Sequence, residues 1–598
     1  MLSLDQLRDL KLSQLTEQAR EWADISNRAY ASRERVTKEI VSDLSETQKS
    51  EASFFAVVRL GRLANNYQYI HTECGLVAAS LNGLAEELAP LQRTLLNALD
   101  DAKQAGFEVF DDGSVRYPAA KAGDTELLGD TVSGNFGFFS QAMGSATALA
   151  TQNPNALRAQ GIADAIAGAL SQATEIDEQY AQALRRLKAE EGLDVTESTW
   201  ADVSGDATAV HSAADDVLKE NIPTDRPQAE RKEWWDNLSD AERVEYLAVY
   251  PDVIGNLDGI PAVARDEANR LYLPQLMGEL AAKGDEDSMT KLAGLKEIDA
   301  QLQTAGEPPM YLLGVGDEGN GRAIVSYGNP DAAKNVSSYV PGLNTKLDAE
   351  FATDPHSTMR RAYDTAVAAR QNDPSSASIV WLGYDAPQSA TEVMSEENAE
   401  RGASAYDGFM SGISATNENA DPHITAIGHS YGSLTVGKAT QEPGGIPGVD
   451  DIVLVGSPGV GVNSAEDLGV AKDHVWVGAA DNDVVTHLPS KSEVAGGVFG
   501  GAVAGIPGAV VGSWLGDPDG DDVWFGKDPA SSDFGANRFQ AGDGPFILNP
   551  EFPDVRNSGI DFGAHSQYFN PEKDQVSTAN IGAIVAGDYQ RVIREDSR

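Results

Sequence analysis

Residues 424–439, with the sequence ITAIGHSYGSLTVGKA, decide how the C-terminal half of this chain is expected to fold. A short apolar run leads into the string GHSYG at 428–432, and the residues that follow can continue as a helix. A serine between two glycines at a strand-to-helix turn is typical of a strained turn that exposes a nucleophile. The Gly-x-Ser-x-Gly string alone is weak evidence, but its strand–turn–helix context predicts that Ser430 is a nucleophile.

Short β-rich runs alternate with helical segments from residue 310 onward. They are predicted at 311–316, 323–328, 337–342, 377–384, 424–428, 451–458 and 474–480. Continuous apolar strands joined by crossover helices indicate an α/β domain with a mostly parallel sheet. In such sheets the functional site lies beyond the carboxyl ends of the strands.

The first half of the chain has a different pattern. Residues 1–220 have helical spacing of leucines and alanines, which predicts an all-α bundle or coiled domain. Residues 221–305 are expected to form a helical connector. Residues 306–598 are then the α/β domain, with a glycine-rich insertion at about 490–545.

A serine hydroxyl needs a base to become a nucleophile, and the base needs an acid that orients it. Along a chain of this architecture the order is serine, then acid, then histidine. Only His474, His487 and His565 follow Ser430. His474 begins a predicted strand at its wrong end, and His487 shares a turn with the acid candidates. Elimination leaves His565, in a loop before the last helix, as the predicted base.

The acid is expected in the string AADNDVVTHLP at 479–489, directly after a predicted strand. Both Asp481 and Asp483 lie there. Asp483 is preferred because the apolar pair Val484-Val485 that follows it can anchor the loop, while Asp481 remains a competitor.

Acyl transfer also requires donors for the developing oxyanion. The backbone N–H of Tyr431, directly after the nucleophile, is one predicted donor. The second is expected from the loop VPGLNT at 340–345, from Leu343 or Asn344, where Gly342 allows the backbone to turn inward.

Residues 234–568 resemble the actinobacterial α/β-hydrolase proteins catalogued as the DUF1023 family. The matching strings are SYGNPDAAKNVSSYVPGLNT, VWLGYDAP, IGHSYGS, DNDVVTHLP and HSQYF. The resemblance implies an α/β-hydrolase fold, with Ser430, Asp483 and His565 as a triad and 342–344 beside the nucleophile. The acid string is also similar to the acid loop of class 3 lipases, which implies Asp483.

Charge and composition restrict the partners. The chain has 45 basic and 92 acidic residues, a net charge of −47, which disfavours nucleic acid as a partner. One cysteine, Cys74, excludes an internal disulfide framework, and neither a metal nor a cofactor is expected.

The uncharged, glycine-rich segment 494–516 is interpreted as a packed or lid-like insertion, with membrane contact as the less favoured interpretation. No conventional secretory signal is predicted, so the cytoplasm is the default and export without a signal stays open.

These observations favour a serine hydrolase that cleaves a small-molecule or lipid ester through an acyl-enzyme intermediate. The alternative is a secretion, assembly or partner-binding protein that acts through its N-terminal helices. The hydrolase domain would then be inactive or cargo.

Overall fold

The structure is a computed structural model of the 598-residue chain. It describes residues 2–122, 125–135, 153–188, 195–214, 219–304, 306–353, 357–488, 522–545 and 563–598. The chain divides into two compact units. Met1–Ile222 and Asp240–Tyr250 form the helical unit, and Pro223–Ser239 and Pro251–Arg598 form the α/β unit. The segment expected as a connector, 221–305, therefore contributes residues to both units.

The helical unit is built on long helices. They are α1 (Leu4–Asp9), α2 (Leu12–Glu34), α3 (Ser42–Thr47), α4 (Glu51–Ala105), α5 (Pro154–Arg186), α6 (Glu197–Ala214) and, from the second segment, α8 (Asp240–Val249), with a π-helical stretch at Arg35–Val41. The Ser50 side chain caps the start of α4, and Gly106 ends that helix in the left-handed conformation. Five short strands interrupt the predicted all-α pattern: β1 (Glu108–Val109), β2 (Val115–Tyr117), β3 (Ala120–Ala122), β4 (Thr125–Leu127) and β5 (Asp130–Val132).

The α/β unit is organised around an eight-stranded sheet. Its strands are β6 (Met310–Gly316), β7 (Arg322–Tyr327), β8 (Asn335–Val340), β9 (Ser376–Leu382), β10 (His423–His429), β11 (Asp451–Val455), β12 (Val475–Gly478) and β15 (Asn537–Phe539), in the order β15-β12-β11-β10-β8-β9-β7-β6. β7 runs antiparallel to both of its neighbours, β6 and β9, and the other neighbouring strands of this sheet are parallel. A separate short hairpin pairs β13 (Asp522–Val523) with β14 (Gly526–Lys527).

Helices cover both faces of the sheet, as crossover connections require. They are α7 (Gln228–Asn237), α9 (Pro251–Asn256), α10 (Ala262–Lys283), α11 (Glu286–Leu302), α12 (Ala349–Ala352), α13 (Thr358–Arg370), α14 (Ala390–Val393), α15 (Glu397–Thr416), α16 (Tyr431–Ala439), α17 (Gly563–Ser566) and α18 (Gln575–Val585). Alternate strand residues enter two separate cores: Ile424 and Ala426 of β10 lie in one, and Ile427 lies in the other. The α/β class predicted from the sequence is confirmed.

The parallel register brings several strand ends to one edge of the sheet. His429, the last residue of β10, pairs with Val455 at the end of β11, and Gly428 pairs with Val340 at the end of β8. The turns that follow these strands meet at this edge, and the candidate site is found there.

Two expectations concern residues that the structure describes only in part. Within the described ranges, no helix is both long and apolar enough to cross a membrane. The uncharged segment 494–516 lies outside those ranges. Of the expected insertion at about 490–545, residues 522–545 are described, and they include β13, β14 and β15.

Candidate active site

Ser430 occupies a sharp turn between β10 and α16. Its φ of 56° and ψ of −132° place it in a left-handed region that non-glycine residues rarely adopt. The flanking glycines are required by close packing, because a Cβ at Gly428 would collide with Ser433 and one at Gly432 would collide with the Val340 carbonyl. The Ser430 N–H donates to the carbonyl of Val455 at 3.0 Å, which ties the turn to the end of β11. The sequence thus folds locally into the strained turn that was predicted.

Asp483 and His565 form a buried hydrogen-bonded pair. Nδ1 of His565 lies 3.0 Å from Oδ1 and 2.9 Å from Oδ2 of Asp483. The Tyr568 hydroxyl donates to Oδ2 at 2.6 Å, and the Val485 N–H donates to Oδ1 at 2.9 Å. An ionised carboxylate can only accept hydrogen bonds, so Nδ1 of His565 carries the ring proton that it donates to Asp483, and Nε2 is left as an acceptor.

Burial and hydrogen bonding act on Asp483 in opposite directions. Complete burial alone would raise the pKa of its carboxyl group. The charge and hydrogen bond of His565, together with the bonds from Tyr568 and Val485, outweigh burial and hold that pKa below its usual value. Asp483 is therefore ionised at neutral pH and aligned on the imidazole.

Asp481 points elsewhere. Its side chain is 64% exposed, and Oδ1 lies 3.2 Å from Nη2 of Arg538. The structure thus brings Asp483, and not Asp481, to the imidazole of His565.

The pair lies against the turn that holds Ser430. Gly456 directly follows Val455, and a Cβ there would lie 2.7 Å from Oδ2 of Asp483 and 2.9 Å from Nδ1 of His565. The ring of His429, next to Ser430, lies 4.7 Å from the ring of His565, centroid to centroid. Among the described residues the Ser430 hydroxyl has no hydrogen-bond partner. The hydrogen bond between a nucleophile and its base often forms fully only when substrate binds. Ser430, Asp483 and His565 therefore converge at one edge of the sheet.

The predicted oxyanion donors differ in their availability. A Cβ at Gly342 would lie 2.8 Å from Cβ of Ser430 and 2.9 Å from the Tyr431 nitrogen, so this loop runs directly beside the turn. The Tyr431 N–H belongs to the first turn of α16, where backbone donors have no partner within the helix. Asn344 has a φ of 62°, and its N–H donates to the carbonyl of Pro387 at 2.8 Å. Of the two loop candidates, only the Leu343 N–H is therefore left for an oxyanion.

Comparison with known proteins agrees with this architecture. A family model described as alpha/beta hydrolase matches residues 317–493, which include Ser430 and Asp483. The uncharacterized protein Rv0963c of Mycobacterium tuberculosis is 34% identical over 236 residues, 38% of this chain and 82% of that protein. The chain belongs to the alpha/beta hydrolase family. The uncharacterized protein Mb0988c of Mycobacterium bovis matches equally well.

A longer match covers more of this alpha/beta hydrolase. The uncharacterized protein Rv2079 of Mycobacterium tuberculosis is 30% identical over 380 residues, 58% of this chain and 54% of that protein. The chain thus spans about half the length of this relative.

Two residues near the pair were not assigned from the sequence. Tyr568 donates to Asp483 and accepts the Ala480 N–H at 2.9 Å, so it fastens the acid loop to the segment that carries His565. Its place in the string HSQYF, three residues after the predicted base, is the available signal. His429 lies inside the Gly-x-Ser-x-Gly string, but nothing in the string indicates what its ring contacts.

A metal centre is a separate question. Within the part of the chain that the structure describes, no group of three or more histidine, cysteine, aspartate or glutamate side chains is arranged to hold a metal ion.

Proposed function

We propose that this chain is a serine hydrolase that cleaves a carboxylic ester through an acyl-enzyme intermediate. Family membership supports a hydrolase. The observation that carries the finer proposal is the buried Asp483–His565 pair beside Ser430 in its strained turn. A nucleophile, a base and an acid that orients the base are the three groups that acyl transfer by serine needs.

Acylation begins when the Ser430 hydroxyl attacks the ester carbonyl. Nε2 of His565 takes the proton, while Nδ1–H continues to donate to Asp483. The ionised Asp483 stabilises the imidazolium that forms and remains a carboxylate throughout. His565 then gives its proton to the leaving alcohol oxygen, and the acyl group stays on Ser430.

The negative charge that develops on the carbonyl oxygen needs donors before the reaction starts. We assign them to the backbone N–H groups of Tyr431 and Leu343. The first lies at the positive end of the α16 helix dipole, which adds to the stabilisation. Asn344 is left out of this assignment because its N–H already serves Pro387.

Deacylation repeats these steps with water. His565 removes a proton from a water molecule as that water attacks the acyl carbonyl, and it then returns the proton to Ser430. The carboxylic acid leaves, and no cofactor takes part. The proposed substrate is a small-molecule or lipid ester. The net charge of −47 repels polyanions and so argues against a nucleic acid.

The test is labelling by a fluorophosphonate probe, which reacts with activated serines. The wild-type protein is expected to label, while Ser430→Ala and His565→Ala are expected to remain unlabelled. Ser337→Ala, a buried serine of β8, is the matched control and should label like wild type. Labelling that persists in Ser430→Ala would overturn the assignment, and an unlabelled wild type would favour the alternative in which the helical unit is the working part.

A further inference from the structure

His429 is buried beside the proposed triad and has no part in the proposed reaction. Its Nε2 lies 2.8 Å from the main-chain carbonyl oxygen of His565. Its Nδ1 lies 3.2 Å from Nη1 of Arg361, and the same guanidinium nitrogen donates to the Tyr339 hydroxyl at 2.7 Å. The imidazole therefore connects the strand that ends at Ser430 with the segment that carries the base.

These partners determine the tautomer of His429. An arginine N–H can only donate, so Nδ1 of His429 must accept and carries no proton. Nε2 then carries the single ring proton and donates it to the carbonyl of His565. A doubly protonated ring would lose the hydrogen bond from Arg361 and place a second positive charge against that guanidinium.

The surroundings keep the ring uncharged. Burial, with the charges of His565 and Arg361, lowers the pKa of His429 well below its usual value. The other titratable groups near the ring are the phenol rings of Tyr339 and Tyr568, each 6.3 Å away, centroid to centroid. Burial raises the pKa of both phenols above its usual value. No carboxylate is in contact with the ring among the described residues.

We propose that His429 is a positioning residue that holds the main chain of His565 in place beside Ser430 while remaining neutral. The inference rests on the proposed function, because it concerns the base of that reaction. Neutrality matters since the two rings are 4.7 Å apart, centroid to centroid. A positive charge on His429 would oppose the imidazolium that His565 must form.

Two variants test separately whether His429 positions His565 and whether its ring stays neutral. His429→Leu removes both hydrogen bonds and leaves the His565 carbonyl and the Arg361 nitrogen without that partner. His429→Gln offers one donor and one acceptor on an uncharged side chain, so it can restore both contacts. The matched control is His423→Gln at the opposite end of β10, where the ring also contacts a main-chain carbonyl, that of Val585 at 3.0 Å.

The readouts are the rate of fluorophosphonate labelling and the kinetics of ester hydrolysis, with thermal melting to report on folding. For His429→Leu we expect the labelling rate and kcat to fall roughly 10- to 100-fold at an unchanged KM, as misplacement of a catalytic group does. His429→Gln is expected to recover most of the wild-type rate, because both hydrogen bonds can form again. Its acidic limb in the pH profile of kcat/KM should coincide with that of wild type, because no charge is removed.

Each contrary result has a definite meaning. A folded His429→Leu protein that labels at the wild-type rate would overturn the positioning role. An acidic limb that moves upward in His429→Gln would show that His429 is charged in the working range, and this arm remains informative if the leucine variant does not fold. If wild type itself does not label, or labels independently of Ser430, the proposed function fails and the inference fails with it.

Discussion

Replacing Asp483 by asparagine exchanges one carboxylate oxygen for an NH2 group and hardly changes the shape of the side chain. The carboxylate has three partners, and all of them donate: Val485 N–H, His565 Nδ1–H and the Tyr568 hydroxyl. In either orientation of the amide, its NH2 faces at least one of these donors. The substitution also removes the negative charge that balances the imidazolium of His565.

The size of the effect follows from burial. Asp483 is completely buried and lies 2.9 Å from Nδ1 of His565. Breaking a buried, hydrogen-bonded charge pair by removing one partner costs about 3–5 kcal/mol. Here that cost falls on the transition state, in which His565 is charged, so acylation should slow by roughly 10²- to 10⁴-fold.

The assay is the second-order rate of fluorophosphonate labelling, with ester hydrolysis as a second readout. Asp481→Asn is the control, since it removes a carboxylate two residues away that pairs with Arg538 instead of His565. We expect the control to stay within about 3-fold of wild type, as for an exposed ion pair. The reasoning is refuted if Asp483→Asn keeps more than a tenth of the wild-type rate, or if Asp481→Asn is the more damaging change.

Three further outcomes are expected. Tyr568→Phe leaves the Ala480 N–H and the Asp483 carboxylate without this partner, so urea titration should show about 1–3 kcal/mol less stability. Burial lowers the pKa of His423, but Asp451 raises it more, so the net pKa is above its usual value. The stabilisation that protonated His423 contributes is therefore present at low pH and lost as the pH rises through that pKa. His423→Gln should cost more stability at pH 5.5 than at pH 8.5. Burial raises the pKa of Glu73 to about 8, and Oε1 has no hydrogen-bond partner among the described residues, so stability falls as the pH rises from about 4.5 to 8. Glu73→Gln should therefore raise the melting temperature at pH 8 and leave it nearly unchanged at pH 4.

The sheet could be predicted largely from the sequence because its strands are buried on both faces. Strands such as β9 (Ser376–Leu382) and β11 (Asp451–Val455) read as continuous runs with few polar residues. The edge strand β15 has three residues, too few for a pattern to emerge. The short strands between β1 and β5 were missed for the same reason, since each has two or three residues among turn-forming residues.

Some residues of the candidate site could be predicted from the sequence, while the choice between others required the fold. Ser430 is marked by a local requirement, the two glycines that its turn needs, and local requirements are visible in a sequence. Asp481 and Asp483 lie in one turn, and only the fold shows that one is exposed and the other buried. The choice between Leu343 and Asn344 depends on the Pro387 carbonyl, which is 43 residues away from Asn344 and reaches its N–H only in the folded chain.

The position of His565, the proposed base, depends most on contacts that no local pattern contains. His565 lies on α17, a helix of four residues, and a helix this short is not stable on its own in water. Its position is therefore imposed by tertiary contacts: Asp483 on the ring, His429 on the carbonyl, and Tyr568 on the following turn. Asp483 comes from the turn after β12, and His429 is the last residue of β10, so the sheet itself sets the distance between His565 and Ser430. If this is correct, substitutions at these contacts should affect His565 before they affect Ser430, which its own strained turn holds in place.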